Sequence, residues 1–264
     1  MSHGAYVDVD GVAATEVSPA DSSEEVITHI AHDLSAPVNA LSLLADWIRE
    51  DMYPAVAQSA AVTQHLDDMK TQTARLQRML KALLAYSRAA RPNGRSTQVV
   101  LRDLIAETVE QLGLQRRFVV RLALGVTHLH VPRDDFAAML EALIDNAGRH
   151  HDKARGMLTI TSHAQDDRVC LRLTDDGPGI ARRYHQRIFD LMTTLQPRDE
   201  VDTSGVGLAL ARKVAVSMGG SVQVTSSEHR RGSTFEVVIP ARHAASVPMG
   251  TALAVSLPTP DTPA

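Results

Sequence analysis

The sequence predicts an α+β protein with two parts. The first is an N-terminal helical hairpin that forms a four-helix bundle with a second copy, and the second is an α/β sandwich domain. Apolar residues recur at helical spacing from 24 to 90, and beyond residues 91–94 (RPNG) short strands alternate with helices. Apolar residues make up 44% of the 264 residues and aromatic residues only 3%, which predicts a core of Leu, Val, Ile and Ala. The predicted segments are a flexible lead-in at 1–22, the helical domain at 23–92, the second domain at 96–241 and a flexible tail at 242–264.

The first helix, over residues 24–48, has one apolar stripe and a histidine on the opposite face. At 100° per residue the stripe comprises Ile27, Ile30, Ala31, Leu34, Val38, Leu41, Ala45 and Ile48. His32 points away from this stripe, so its imidazole is predicted to be in water and available as a nucleophile. The adjacent Asp33 can accept the proton of one ring nitrogen and leave the other free to attack. Pro37 removes one helical hydrogen bond, and we expect a bend there.

A second helix is predicted from Gln58 to Ala90, after a break at Pro54. Its apolar residues step by alternating fours and threes, which is a heptad seam, at Val62, Leu66, Met69, Thr73, Leu76, Leu80 and Leu83. Two helices alone cannot bury the stripes of both arms. The hairpin is therefore predicted to form a homodimer with a four-helix core.

The pattern after residue 96 predicts a mixed sheet covered by helices. Strands are expected at 97–100, 118–124, 127–131, 158–163, 169–174, 222–225 and 234–239, with Asp166 and Asp167 in a hairpin turn. Helices are expected at 101–112, 133–150, 184–190 and 205–218.

Three motifs in this second domain have the composition of a nucleotide site. Residues 175–180 (DDGPGI) follow a strand, where a carboxylate can accept hydrogen bonds from an exocyclic amine and glycines allow close approach of a flat ligand. Residues 141–150 (EALIDNAGRH) place Asn146 and Arg149 three apart on one helical face, which suits Mg²⁺ and phosphate. Residues 204–210 (SGVGLAL) open a helix with two glycines, and helix N-termini bind anions.

Several other classes of protein are disfavoured. Arg182 stands where a dinucleotide-binding fingerprint needs its third glycine, and no Gly-Lys-Ser/Thr of a P-loop follows the glycines. The net charge of −4 gives no basic surface for nucleic acid. The single cysteine, Cys170, lies in an apolar run and excludes a disulfide framework. No segment has the length of a membrane span or the build of a signal peptide, so the chain is expected to be soluble and cytoplasmic. The histidine pairs at 128/130 and 150/151 are interpreted as solvated residues, not metal ligands.

Residues 32–37 (HDLSAP) resemble the H-box of bacterial sensor histidine kinases: His, an acidic residue, Leu, two variable residues and Pro. The three motifs above, together with 188–190 (IFD) and 232–235 (GSTF), resemble the N, G1, G2, F and G3 boxes of the ATP-binding domain of the same family. The order of the boxes is also the same, and the resemblance extends over residues 24–240.

The resemblance implies ATP and Mg²⁺ as cofactors. It implies that Asp175 contacts adenine, Asn146 holds Mg²⁺ and Arg149 touches phosphate. It further implies supporting nucleotide contacts from His150, Gly177, Gly179, Gly205, Gly207, Leu208 and Thr234. Three positions depart from the family pattern, because Ala142 and Ala209 stand where Asn and Gly are common, and Ala36 stands where many members use Thr or Asn to position water for dephosphorylation.

The activity that the resemblance implies is ATP-dependent autophosphorylation of His32, assisted by Asp33, followed by transfer to an aspartate of a separate response regulator. A sensor would be a separate protein or a domain absent from this sequence. Related ATPases use a glutamate four residues before the Mg²⁺ asparagine, where this chain has Ala142, which disfavours a dedicated ATPase. The alternative is a docking module that binds a response regulator and has lost catalysis.

Overall fold

Two antiparallel helices form the N-terminal hairpin. In a computed structural model, which describes residues 19–53, 59–90, 95–195, 204–227, 230–241 and 254–256, α1 spans Pro19–Asp51 and α2 spans Ala60–Arg88. Helix α1 begins with a proline, a residue suited to the first turn, and therefore starts inside the segment predicted to be a flexible lead-in. Helix α2 is capped by the Ser59 hydroxyl, which accepts a hydrogen bond from the Val62 backbone N–H at 3.4 Å. Pro54 lies outside the described residues.

The seam between α1 and α2 follows a seven-residue period. Ala31 and Val38 of α1 pack against Leu80 of α2, and Ala45 packs against Leu66. The buried residues of α2 are seven apart: Leu66, Thr73, Leu80 and Ser87, of which the first three belong to the predicted heptad seam. Val62 and Leu76 of the predicted seam are 38% and 45% exposed within one chain. Near one end of the seam, the Thr28 hydroxyl donates to Ser87 Oγ at 2.8 Å.

Only part of the predicted α1 stripe is covered within one chain. The large side chains Ile30, Leu34, Leu41 and Ile48 are 54%, 47%, 45% and 39% exposed. They occupy the flank of α1 next to the seam, and they form a continuous apolar surface along the hairpin. Within the described residues, no helix combines the length and the apolar character that a membrane crossing requires.

In the part of the chain that the structure describes, the second domain contains a two-stranded sheet, a six-stranded mixed sheet and three α-helices. Strands β1 (Ser96–Val100) and β3 (His128–Pro132) form an antiparallel pair. The larger sheet has the order β6-β7-β5-β4-β2-β8, with β2 and β4 parallel and the other neighbours antiparallel. Its strands are β2 (Phe118–Leu124), β4 (Gly156–Gln165), β5 (Arg168–Asp175), β6 (Ser221–Ser227), β7 (Arg230–Pro240) and β8 (Ala254–Ser256). The helices are α3 (Leu101–Gln111), α4 (Arg133–Arg149) and α5 (Gly207–Ser217).

The three helices cover one face of the larger sheet. In β2, Phe118, Val120 and Leu122 are buried, whereas the alternating Val119 and Arg121 are exposed. This alternation is typical of a sheet with one covered face. The buried residues of the three helices and of this sheet face form one hydrophobic core. The fold prediction is confirmed: a helical region precedes an α/β domain of the sandwich type.

Two local predictions differ from the structure. The helix expected at 184–190 consists of two single 3₁₀ turns, Arg182–Tyr184 and Arg187–Phe189. The prediction of a flexible tail does not hold at Ala254–Ser256, which pairs with β2 as an edge strand. The free edge of β2 offers unpaired backbone groups, and a short extended segment satisfies them whatever its hydrophobic pattern. The turn predicted at Asp166 and Asp167 joins β4 to β5 as expected.

The second domain contacts the end of α2. Lys213 of α5 donates from Nζ to the Tyr86 carbonyl oxygen at 2.7 Å, and the same ammonium lies 4.7 Å from the centroid of the Tyr86 ring. The Ala90 backbone N–H donates to Asp135 Oδ2 at 3.1 Å. Ala89 belongs to the core of the second domain. The hairpin and the sheet domain are therefore in direct contact at the C-terminal end of α2.

Candidate active site

His32 lies on the outer face of α1, as the sequence predicts. Its side chain is 81% exposed, and that of Asp33 is 79% exposed. The ring Nδ1 lies 3.5 Å from Asp33 Oδ1, at the outer limit of a hydrogen bond. Ala36, one turn later, is also exposed and offers no polar group. The imidazole is thus open to an incoming group, with a carboxylate beside Nδ1.

Asp175 ends strand β5 and is held by two backbone N–H groups. Its Oδ1 accepts hydrogen bonds from Gly177 N at 2.8 Å and from Ser233 N at 3.3 Å. Burial raises the pKa of this carboxyl group above its ordinary value, although the two hydrogen bonds act in the opposite direction. Both contacts engage Oδ1, so among the described residues Oδ2 is the oxygen left to a ligand.

The next residue, Asp176, is bound to a buried histidine. Asp176 Oδ1 accepts from the Met157 backbone N–H at 2.7 Å and lies 3.0 Å from His151 Nε2. Burial opposes ionisation of Asp176, but these hydrogen bonds together lower its pKa. The His151 side chain is 0% exposed. The interpretation of His151 as a solvated histidine is therefore wrong: its ring fills space under the 175–177 turn instead of extending from the helix end.

The first residues of β7 pack on the same turn. Arg231 donates to both carboxylate oxygens of Asp152, at 2.9 and 2.7 Å, and to the backbone carbonyl of Asp176 at 2.9 Å. The hydrogen bond from Arg231 lowers the pKa of Asp152 to about 2. The Gly232 backbone N–H donates to the Gly177 carbonyl at 2.8 Å.

Gly232 occupies a position that other residues cannot easily take. Its φ is +97°, and a Cβ atom there would lie 2.5 Å from the Asp175 carbonyl oxygen. Such a separation is far inside van der Waals contact. Glycine at this position therefore permits the close approach of the start of β7 to the Asp175 turn.

Helix α4 supplies the predicted Mg²⁺ and phosphate residues. Asn146 is half-buried in its last turns, and Arg149 is exposed and forms an ion pair with Asp145 on the same helix. His150 caps the helix, and its backbone N–H donates to the Asn146 carbonyl at 3.2 Å. A phosphate at Arg149 would have to compete with the Asp145 carboxylate.

The glycine pair before α5 contacts two different segments. Gly205 has φ +67°, and a Cβ atom there would lie 2.8 Å from the Met192 carbonyl carbon. Gly207 begins α5, and a Cβ atom at that position would lie 3.5 Å from the Ala142 Cβ of α4. Leu208 packs against the core of the domain. The start of α5 is thus held close to α4, on the side of Ala142.

Thr234 pairs with the strand that ends at Asp175. Its hydroxyl lies 3.0 Å from the Thr174 hydroxyl, one residue before Asp175. The following Phe235 is buried and meets the Phe189 ring edge to face at a centroid distance of 6.4 Å. Gly179 lies beyond the turn with φ +87°. Asp175, Gly177 and Thr234 are therefore brought together, whereas His32 belongs to the separate hairpin.

Four residues that shape the turn were not predicted from the sequence as site residues: His151, Asp176, Arg231 and Ser233. Asp176 and Ser233 lie inside the motifs at 175–180 and 232–235, and Ser233 acts through its backbone N–H. His151 and Arg231 lie directly beside the motifs at 141–150 and 232–235, and that adjacency was the available signal. Within the described ranges, no three His, Cys, Asp or Glu side chains converge as a metal site.

Comparison with protein families gives two matches. Residues 22–92 match the His Kinase A (phospho-acceptor) domain, and residues 132–243 match the family of histidine kinase-, DNA gyrase B- and HSP90-like ATPases. The two models together match more than half of the chain, in the order helical hairpin and then sheet domain.

Individual proteins give the same picture. The chain is 24% identical over 227 residues to the adaptive-response sensory kinase SasA of Synechococcus sp. strain JA-2-3B'a(2-13), with 83% of this chain covered. It spans 60% of the length of that relative. Among solved structures, full-length ShkA in complex with AMPPNP matches 84% of this chain and 46% of its own, with a TM-score of 0.64 and 20% identity. The histidine kinase ThkA in complex with the response regulator TrrA matches 85% of this chain and 67% of its own, with a TM-score of 0.54 and 18% identity.

The similarity to solved structures establishes the fold, and the two family models establish the family. The two models together describe a phospho-acceptor hairpin followed by an ATPase domain. The chain therefore belongs to the two-component sensor histidine kinases and comprises the catalytic core of that family.

Proposed function

We propose that this core phosphorylates His32 with the γ-phosphoryl group of ATP and passes the group to an aspartate of a response regulator. One observation carries the proposal. The hairpin presents the exposed imidazole of His32 with a carboxylate beside Nδ1, and this hairpin directly contacts the second domain. In that domain the protein's own hydrogen bonds engage only Oδ1 of Asp175, so among the described residues Oδ2 is left for an exocyclic amine.

In this proposal each nucleotide moiety has its own partner. The adenine amino group donates to Asp175 Oδ2, while Gly177 and Thr234 shape the pocket around the base. The phosphates lie near the N-terminus of α5 and Arg149, after Arg149 exchanges Asp145 for phosphate. Asn146 would hold Mg²⁺, which neutralises charge on the phosphate oxygens when it is bound.

The chemical step uses the two ring nitrogens differently. Asp33 accepts the hydrogen bond of Nδ1–H, so the lone pair of Nε2 attacks the γ-phosphorus. A bond forms from Nε2 to phosphorus, the bond from phosphorus to the bridging oxygen breaks, and ADP leaves with the electron pair. The Nδ1 proton moves toward Asp33 as positive charge develops on the ring. Since His32 is 81% exposed in this arrangement, the two domains must approach each other before transfer.

The relatives support the nucleotide and the partner. ShkA was crystallised with AMPPNP, and ThkA with the response regulator TrrA. By analogy with these proteins, ATP is the donor for this chain and the receiver domain of a response regulator is the acceptor. Because the chain spans 60% of the SasA relative, the input would come from a sensor domain or from a separate sensor protein.

We further propose that the core is a homodimer. The exposed stripe of α1, which comprises Ile30, Leu34, Leu41 and Ile48, continues along the hairpin beside the buried seam. A four-helix bundle with a second copy would bury this stripe. The hairpin alone leaves these side chains in water.

Labelling with γ-labelled ATP and Mg²⁺ tests the acceptor. Wild-type protein is expected to acquire an acid-labile, alkali-stable label, and His32→Gln is expected to acquire none while ATP affinity stays unchanged. His65→Gln, which alters an exposed histidine of α2, is the matched control and should label normally. Equal labelling of the wild type and His32→Gln would show that another residue is the acceptor.

The second candidate is a docking module that binds a response regulator without catalysis. Calorimetric titration with ATP, read together with the labelling assay, distinguishes the kinase from the docking module. Tight ATP binding without any label would favour the docking module, and absence of ATP binding would remove the kinase proposal. The intact set of Asp175, Gly177, Gly179 and Asn146 favours the kinase.

A further inference from the structure

A buried imidazole lies directly under the turn that carries Asp175. His151 follows the cap of helix α4, and its side chain is 0% exposed. The edge of the Phe118 ring meets it at a centroid distance of 5.1 Å. A Cβ atom at Gly156 would lie 2.8 Å from His151 Nε2, and one at Gly177 would lie 3.6 Å from its Cδ2. The ring is therefore enclosed by its neighbours and has little room to shift.

Both ring nitrogens are engaged in hydrogen bonds. Nδ1 lies 3.1 Å from the backbone N and 3.2 Å from the carbonyl oxygen of Lys153. Nε2 lies 3.0 Å from Asp176 Oδ1, and because an ionised carboxylate can only accept, Nε2 is the donor in this contact. The same oxygen accepts from Met157 N at 2.7 Å. A burial this complete is tolerated because each polar atom of the ring has a partner.

The hydrogen bond between His151 and Asp176 holds the residue next to Asp175, the carboxylate proposed to bind adenine. Asp176 is joined to Asp175 by one peptide bond, and the Asp176 carbonyl is in addition held by Arg231 at 2.9 Å. The Asp176 side chain is anchored to β4 and to His151, so the backbone of Asp176 cannot rotate freely. The Gly177 N–H that follows it holds Asp175 Oδ1, and the direction of Asp175 Oδ2 therefore depends on the orientation of this backbone.

We propose that His151 and Asp176 form a positioning pair that holds Asp175 in the orientation needed to distinguish adenine from other purines. The inference rests on the proposed function, because it deepens the role of the same nucleotide site. Neither residue of the pair touches the base. Each acts through the Asp175 turn, and the pair sets base selectivity more than it sets general affinity for triphosphates.

The test compares ATP with ITP, whose base carries a carbonyl oxygen in place of the adenine amino group. Dissociation constants for both nucleotides are measured by calorimetry with the full chain. The wild type is expected to prefer ATP by roughly tenfold or more, the worth of one hydrogen bond to a charged group. His151→Leu is expected to bring the ratio close to one. His151→Gln should restore the preference, because its amide N–H can donate where Nε2–H does.

The control is His163→Leu, at the far end of β4, which should keep the wild-type ratio. If His151→Leu does not fold, Asp176→Ala decides, since the Asp176 side chain is 42% exposed and its removal leaves no large cavity. An unchanged ratio in either folded variant would overturn the positioning role. A wild type that binds neither nucleotide would instead overturn the proposed function, so the two failures are distinct.

Discussion

Asp175 has a raised pKa and accepts two backbone hydrogen bonds, so its ionised form has opposite effects on folding stability and on ligand binding. Burial raises the pKa, so the folded chain holds this proton more tightly than the unfolded chain does. The contribution of Asp175 to the free energy of unfolding is therefore greatest at a pH below the ordinary carboxyl pKa. This contribution is lost as the pH rises through the raised pKa of the folded state. At neutral pH the ionised side chain costs stability, and its benefit lies in ligand recognition.

Asp175→Asn is expected to leave the melting temperature of the free protein at pH 7 unchanged or higher. The amide oxygen can still accept from Gly177 N and Ser233 N, and the cost of a buried charge is removed. ATP affinity should fall by about tenfold or more, because an interaction with a charged acceptor is lost. Thermal melts with and without ATP measure both effects. A variant with a lower melting temperature and unchanged affinity would contradict this assignment.

Gly232→Ala is expected to lower both stability and nucleotide affinity. The new Cβ atom would collide with the Asp175 carbonyl oxygen at 2.5 Å, and the φ of +97° is unfavourable for alanine. Gly113→Ala is the control, since Gly113 has φ +63° but nothing within 4 Å of its Cβ position. The control should lose about 1 kcal/mol of stability and keep its ATP affinity. Denaturant unfolding and calorimetry distinguish a local strain from a change in the pocket.

At the residue scale, the sequence predicted the motif residues better than their surroundings. Asp175, Gly177 and Thr234 meet in space because strand order brings β5 next to β7, and the motifs mark both strands. The sequence predicts a solvated His151 because no further Cys, His or acidic residue is placed to complete a metal site with it. Its ring packs against Phe118, which lies on β2 far earlier in the chain, and no local pattern encodes that contact.

At the scale of elements, the hairpin has two apolar faces with different partners. The buried face of α1 uses the small residues Ala31 and Ala45, which bring α2 close. The exposed face uses large aliphatic side chains, which suits contact with a second copy. Most helices and strands followed from periodicity to within a few residues, whereas the helix expected at 184–190 and strand β8 did not. Its pairing depends on an open sheet edge and not on its own sequence.

Leu41→Asp is expected to convert the dimer into a monomer, because a carboxylate would be placed within the bundle interface. Leu43→Asp is the matched control, since Leu43 is similarly exposed but points about 200° away around the helix. Light scattering after size-exclusion chromatography gives the mass of each variant. If Leu41→Asp kept the mass of a dimer, the exposed stripe would not be the interface.

At the scale of the whole molecule, the contact of α5 with the end of α2 determines where the nucleotide domain rests. The cation over the Tyr86 ring and the hydrogen bond to its carbonyl both come from Lys213. No motif includes this lysine, and its partner lies 127 positions earlier in the chain. Sequence patterns therefore predicted both domains, but they could not predict how the domains are arranged.

Lys213→Ala is expected to increase the rate of His32 labelling several-fold without changing ATP affinity. The contact holds the domain in an arrangement that leaves His32 exposed, and its loss removes roughly 1 kcal/mol that favours this arrangement. Lys81→Ala, an exposed lysine of α2, serves as control. Single-turnover labelling at saturating ATP measures the rate. A slower rate would mean that the contact assists transfer.

The seam of the hairpin alternates leucine with hydroxyl residues, and the two hydroxyl residues of α2 bond differently. Thr73 donates its hydroxyl to the Met69 carbonyl of its own helix at 2.7 Å. Ser87 also donates within its helix, to the Leu84 carbonyl at 3.0 Å, but in addition it accepts from Thr28 across the seam at 2.8 Å. Axial sliding of α1 along α2 would break that directional bond. It would also break the hydrogen bonds that join Gln77 to Asn39, Lys70 to Asp46 and Arg49 to Asp67 farther along the hairpin. The register is therefore held over the length of the hairpin, so a twist applied elsewhere along the bundle reaches His32 as rotation of both helices together.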